Sequence, residues 1–555
     1  MAQAQGIPSP TLIQPDVRLQ ELPSTETPEA QPPIEIPDVP PTSVPSGAET
    51  VRFVLDEVRI DGATVYPPEY FKTYYQDLIG TEVTLNQLYQ VRADIERAYR
   101  KDGYFLTRVI VPKQTIRDGV FRLQVIEGYV DGLEFEGDIG PAQDLVENYL
   151  QNVVDRRPLD LKTLERYLLL ANDIPGVNVQ GVLHPSPINI GAARLVAKLG
   201  RKPFDALLLY DNYGNEFTGI WEAAATVSAN SFTSQGEQIS VTGLVTDPVN
   251  GFDGNDNEWV TQFQTSWRIG DEGVFTRIFV SYGKSRPGFV VQPLNFESET
   301  LLVSVNAGYP VIRSRDFSLT GLVGFDFLNS DTDIQGNQKF IRDRLRILHA
   351  TGQVEYRDAL RGINQLSASL RQGLNSFGAT PKGETQKSRA DASGFATVVN
   401  GAASRYQPLI SDLSVVNRPA VIGLFGSVAA QYAFDDLLSD ELFDVGGSTL
   451  YGRGYDRGEL SGDHGAAFTG ELQFTHRIAH EYFENYQLYG FYDYGRVWNR
   501  SGSDDDLSSA GGGIRTSLLK FLSLEFQVAK PLTRDSERSS FGRDTQFLFR
   551  TVARF

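Results

Sequence analysis

The sequence predicts a mainly β protein: a 16-stranded antiparallel transmembrane β-barrel preceded by two α+β modules of order βααββ. Helical periodicity stops at Phe204, and from there to Phe555 the chain runs in alternating stretches of about ten residues, the length a tilted strand needs to cross a bilayer. Connections alternate between short turns such as GDEG (270–273) and long polar loops such as NSFGATPKGETQKSRADA, the asymmetry of an outer-membrane barrel. No stretch reaches the ~18 consecutive apolar residues of a transmembrane helix, so a membrane protein is possible only as a β-barrel.

In chain order, residues 1–50 come first and hold 11 of the 28 prolines, interleaved with acids. Proline fixes φ and removes amide donors, so this segment is expected to be an extended linker, with docking inside another part of the protein as the alternative. The start, MAQAQGIPSP, lacks the basic and apolar regions of a secretory signal and reads as a mature N-terminus with an added Met.

Residues 51–135 read as the first module. FVLDEVRIDGATV alternates like a strand, PEYFKTYYQDLI is a short helical piece, and TLNQLYQVRADIERAYRKDGY is a helix with Leu85, Leu88, Val91, Ile95 and Ala98 on one face. Thr84 and Gln87 form a capping box, and Gly103 ends the helix. The strands FLTRVIVP and VFRLQVIEGYV follow. Residues 136–203 repeat the order: VDGLEFEGDI, then two helices, the second with Leu161, Leu164 and Leu168 on one face, then VNVQGVLHP and ARLVAKLG.

Residues 204–555 read as the barrel, with strands beginning near 204, 219, 236, 257, 275, 298, 316, 343, 362, 392, 418, 464, 485, 508, 521 and 544. In EWVTQFQTSW, Trp259, Thr261, Phe263, Thr265 and Trp267 share one face and Val260, Gln262, Gln264 and Ser266 the other. In FSLTGLVGFDF, Phe317, Val323, Phe325 and Phe327 oppose Ser318, Thr320 and Asp326. The last strand sets Phe547, Phe549, Thr551, Ala553 and Phe555 against Gln546, Arg550 and Arg554. A large soluble β-sandwich would show the same alternation.

Composition excludes several functions. There is no cysteine, hence no disulfide, no thiol nucleophile and no CxxC zinc site. A net charge of −19 argues against a nucleic-acid partner, which needs clustered Lys and Arg. His476 and His480 lie at a strand end, where residues four apart are about 13 Å apart, so they read as polar turn residues and not as a metal pair. The acid-rich stretches DGNDNE and SGSDDDL fall where exposed loops belong. Gly452, Gly454 and Gly458 are misspaced for a dinucleotide fingerprint and lack a βαβ context. With no G-x-S-x-G and no paired carboxylates, the sequence points to no enzyme, no cofactor and no metal.

The stretches EVRIDGATV and YRKDGYFLTRVIVPKQTIRDGVFRLQVIEGYVDGLEFEG resemble the first polypeptide-transport-associated (POTRA) domain of two-partner secretion transporters. These are the TpsB proteins (ShlB/FhaC/HecB-like, haemolysin secretion/activation) of the Omp85 superfamily. The resemblance implies that a long loop, here 435–463, folds back into the barrel and presents an Arg-Gly-Tyr tip, matched by Arg453, Gly454 and Tyr455. Its partner would be the Phe-x-Asp-x-Gly pattern of the thirteenth strand, matched by Phe491, Asp493 and Gly495. The lead-in LFDVGGSTL, with Gly446 and Gly447, is similar too. The family usually has Val before the arginine; this chain has Gly452. The terminal Phe555 resembles the C-terminal insertion signal of outer-membrane proteins.

What the resemblance implies is an outer-membrane pore with POTRA domains in the periplasm, which recognise a large TpsA-type exoprotein that is translocated without ATP. Outer-membrane lipid and the barrel-assembly machinery would be its other partners. FLTRVIVP and VNVQGV are candidate edges for strand addition. An Omp85-type assembly and insertion factor is the alternative, and a small-solute porin or receptor the second alternative.

Overall fold

The computed structural model describes residues 44–189, 191–248, 257–335, 338–447, 450–500, 502–535 and 544–555. Residues 1–43 of the proline-rich segment, a candidate plug only by the family resemblance, and 253–256 of DGNDNE, lie outside them. The first unit has a three-stranded sheet in the order Glu57–Asp61, Val120–Ile126, Arg108–Ile110, with the outer strands parallel and antiparallel to the central one. The helix Leu85–Lys101 starts at Thr84, whose hydroxyl and backbone N–H exchange bonds with Gln87. It buries Leu88, Val91, Ile95 and Tyr99 against Phe121, Leu123 and Val125. A small second sheet pairs Arg52–Val54 with Glu82–Thr84.

The second unit repeats this order, with Tyr129–Glu136, Ala192–Arg201 and Val177–Pro185 in one sheet and helices Gln143–Gln151 and Leu161–Asn172 packed on it. Strand Tyr129–Glu136 pairs with Ala192–Arg201, and Val130 also bridges Val154, so the strand runs across the 135/136 division.

Sixteen antiparallel strands close the barrel. Alternation decides which side chains face out: Phe263, Val323 and Phe547 are exposed, while Val260, Gln262, Asp326 and Leu548 are buried inside. A polar interior and an apolar exterior is the inversion expected when the outer solvent is lipid. Two strand starts differ from the sequence reading by five residues. The eighth runs Gln338–Arg357 because a bulge at Thr332/Asp333 lets pairing continue beyond the alternating stretch. The tenth starts only at Thr397 because residues before it form a folded loop, bonded through Thr380 to Arg344 and Gly394.

The second unit is fastened to the barrel turns on the side where the chain enters. Asp173 accepts two bonds from Arg313, both 2.8 Å, and Tyr167 donates to Glu272 at 2.8 Å. A side chain on Gly273 would collide with Leu170, so helix and turn are in close contact.

Candidate functional site in the barrel lumen

The connection from the eleventh strand (Arg418–Ala433) to the twelfth (His464–His480) opens on the face opposite the two α+β units and folds back inside. It is stiffened by a two-stranded ribbon, Phe443–Val445 with Leu460–Gly462. Residues 448 and 449 are outside the described residues. A second loop clamps it: Arg389 donates to both carboxylate oxygens of Asp463 and, at 2.7 Å, to the carbonyl of Leu437. Arg371 of the ninth strand holds Glu441 at 3.0 Å through two nitrogens, and Asp326 at 3.0 Å.

The ribbon delivers Arg453 to the barrel wall, fully buried. Its Nε donates to Asp493 Oδ2 at 3.0 Å and its Nη2 to Asp493 Oδ1 at 2.8 Å. Nη2 also reaches Thr469 at 2.9 Å, and Nη1 donates to Glu471. The backbone N–H groups of Gly452 and Arg453 donate to Asp493 Oδ2 at 3.3 and 3.0 Å. The guanidinium carbon lies 3.6 Å from the centroid of Phe491. Such a site holds a planar, bidentate cation and would not hold a lysine in the same way.

The structure therefore brings together Arg453, Asp493 and Phe491, three of the residues singled out in the sequence. Strand periodicity puts Phe491, Asp493 and Gly495 on the lumen face, while Tyr492 and Tyr494 face outward. Gly495 makes room for Val445 of the ribbon. Gly454 passes the backbone of Lys530 and Pro531, with only 2.8 Å left for a Cβ. Tyr455 points away from the Arg453 site: its hydroxyl donates to the Ser508 carbonyl at 3.1 Å, and its ring is buried among Val445, Leu460, Ala467, Val497 and Leu507. Phe555 is on the outer face, stacked on Phe521 at 5.4 Å, with its N–H bonded to Ala206 of the first strand.

Glu471, Thr469 and Arg515 were missed in the sequence. The available signal was phase: Thr469, Glu471 and Gln473 are consecutive lumen positions of one strand, and an acid there needs a cation. His476 is also corrected. It is a buried strand residue whose Nε2 meets the Val415 carbonyl at 3.1 Å, so it is not a turn residue. Among the described residues no group of acids and histidines could hold a metal ion.

Comparison with known proteins bears on the family and the fold. A family model for ShlB-type POTRA domains matches residues 53–128, and one for haemolysin secretion/activation proteins ShlB/FhaC/HecB matches 194–516. The heme/hemopexin transporter protein HuxB of Haemophilus influenzae is 23% identical over 475 residues, covering 84% of this chain and 80% of HuxB. The solved structure of CdiB from Escherichia coli superposes with a TM-score of 0.74 at 18% identity, covering 93% of this chain and 94% of CdiB. CdiB from Acinetobacter baumannii gives 0.65 at 16% identity, covering 95% of each chain.

Proposed function

Since the chain belongs to the haemolysin secretion/activation family ShlB/FhaC/HecB, whose members are outer-membrane transporters with periplasmic POTRA domains, we propose that it exports one large exoprotein. In this reading both α+β units are POTRA domains that capture an extended secretion segment of the partner in the periplasm, and the barrel passes it outward. The outer membrane offers no ATP, and folding of the partner outside keeps the chain from sliding back.

The observation that carries the proposal is the buried Arg453 seated on Asp493 inside a barrel whose first strand continues directly from the α+β units. A buried ion pair is a poor source of net stability but costs about 3–5 kcal/mol to break from one side, which suits it to fixing where a loop sits. Arg453, Gly454 and Tyr455 are thus assigned to the loop tip, Phe491, Asp493 and Gly495 to its receptor on the wall, and Phe555 to barrel insertion.

Capture by strand addition has a structural condition. Both candidate edges, Arg108–Ile110 and Val177–Pro185, are outer strands of their sheets. Each has one residue, Val179 or Val109, whose main chain is occupied by the helix before it. Asn172 bonds both the N–H and the C=O of Val179 at 2.8 Å, while Glu96 and Arg92 bond those of Val109 at 3.3 and 3.0 Å. A partner strand would have to displace these side chains.

The test compares secreted and outer-membrane proteomes of the source strain with and without this gene. Loss of one large exoprotein with other barrels unchanged is the expected result. A general loss of outer-membrane barrels would make the protein an assembly factor, and no change in either would favour a small-solute pore.

A further inference from the structure

Arg453, fully buried, is the first of three arginines along the lumen wall, the other two partly buried, each lying over an aromatic ring and against a carboxylate. Arg515 of the fourteenth strand (Asp504–Leu518) lies 3.8 Å over Tyr489 and bonds Glu471 at 2.9 Å and Glu525 at 2.7 Å. Arg550 of the sixteenth strand (Gln546–Arg554) lies 4.0 Å over Tyr213 and bonds Asp211 at 2.9 Å. Glu525 connects them. It accepts from Tyr489 at 2.7 Å and Tyr213 at 3.4 Å, and is the register partner of Arg550.

This series starts at the loop tip and ends across the junction of the first and last strands. That junction pairs Leu207–Asp211 with Arg550–Arg554, the shortest register between neighbouring barrel strands among the described residues. The Arg550–Asp211 pair spans it. We propose that Arg515 and Glu525 are positioning residues that transmit the position of the Arg453 tip to this junction.

The physical reason is shared charge. Asp493, Glu471, Glu525 and Asp211 face Arg453, Arg515 and Arg550. When the tip is seated, Glu471 is divided between Arg453 and Arg515. If the tip leaves, Arg515 is the remaining arginine on Glu471 and is drawn toward it, away from Glu525. Glu525 then competes with Asp211 for Arg550, and the pair that spans the junction weakens. Contiguity alone does not establish such coupling; a measured non-additivity does.

The chain has no cysteine, so pairs can be introduced cleanly. Leu208→Cys with Ala553→Cys are register partners across the junction, and Val227→Cys with Val241→Cys are register partners across the second and third strands as control. Disulfide closure by an added oxidant is followed in outer membranes, with heat-modifiable mobility confirming a folded barrel. Arg453→Ala is expected to slow closure at the junction about five-fold or more, the lower end of ordinary coupling between sites, with the control pair unchanged. In an Arg515→Met background the further effect of Arg453→Ala on the junction should vanish, and Arg515→Lys should restore part of it. If Arg515→Met prevents folding, Glu525→Gln serves in the same cycle. Equal slowing of both pairs, independent effects of the two substitutions, or no effect of Arg453→Ala at the junction overturns the proposal. No exoprotein is needed for this readout, so its failure is distinct from failure of the secretion reading.

Discussion

Val445 occupies the space that Gly495 leaves open: a Cβ on Gly495 would lie 2.2 Å from Cγ1 of Val445. The glycine on the wall and the valine on the ribbon are therefore one fitted contact, placed two residues beyond the Asp493 that binds Arg453. Gly495→Ala is expected to push the ribbon off the wall at a cost of roughly 1–3 kcal/mol, the usual range for overpacking. Hydrogen exchange of residues 443–462 should speed up while the sixteen strands remain protected. Unchanged exchange in the ribbon would show that the contact does not fix the loop.

Gly452 has φ +95°, and a Cβ there would come within 2.7 Å of Leu507 and 3.2 Å of Gly446. The family's usual valine at this position thus has no room in this chain. Gly452→Val should not bring an improvement toward the family pattern but should cost about 1–3 kcal/mol through a left-handed β-branched residue. The expected reading is lower secretion and faster loop exchange than in the parent; equal or better secretion would contradict the backbone described here.

Arg453→Lys keeps the charge and loses the fork that spans Asp493, Thr469 and Glu471. Secretion is expected to fall nearly as far as in Arg453→Ala, with both barrels still inserted and heat-modifiable. Full secretion by the lysine variant would reduce the site to a point charge.

Much of this was legible because two periods dominate the sequence. Alternation gave the barrel and the phase of Phe491, Asp493 and Gly495, since a side chain's face follows from its parity in a strand. The 3.6-residue period gave the helix of Leu88, Val91 and Ile95. What could not be read depends on contacts between distant residues. Arg515 and Glu525 look like ordinary lumen polar positions until strand register places one opposite the other. The clamp from Arg389 to Asp463 joins two loops whose sequences carry no period at all. Asn172 ends a helix, and nothing local shows that its amide also occupies the neighbouring sheet edge.

Glu127, at the end of the central strand of the first unit, allows a pH prediction. Burial raises its pKa, but bonds from Thr64 and Val65 and from the Tyr99 hydroxyl outweigh this and leave it below the ordinary glutamate range. A carboxylate depressed in the folded state contributes stability that is present above its unfolded pKa and lost as pH falls through the folded value. The first unit should therefore become protease-sensitive on acidification below about pH 4.3, the unperturbed glutamate range. Glu127→Gln should be less stable at neutral pH and flatter in its acid dependence. An unchanged acid profile in that variant would place the sensitivity elsewhere.

Asn172 and Val179 bear on which edge takes the exoprotein. The amide of Asn172 makes the same two main-chain bonds to Val179 that an added strand would make, so it competes directly with the partner. Asn172→Ala removes the competitor at about 1 kcal/mol per bond, so capture at this edge should rise roughly five-fold or more. The measurement is photo-crosslinking from Asn178 to the exoprotein identified by the proteome comparison, with the crosslinker in parent and variant. Increased yield with Asn172→Ala places the partner strand on Val177–Pro185. If yield at Asn178 is unchanged while secretion persists, the edge of the first unit, guarded by Arg92 and Glu96, is where the segment adds, and Glu96→Ala should then raise crosslinking from Ile110.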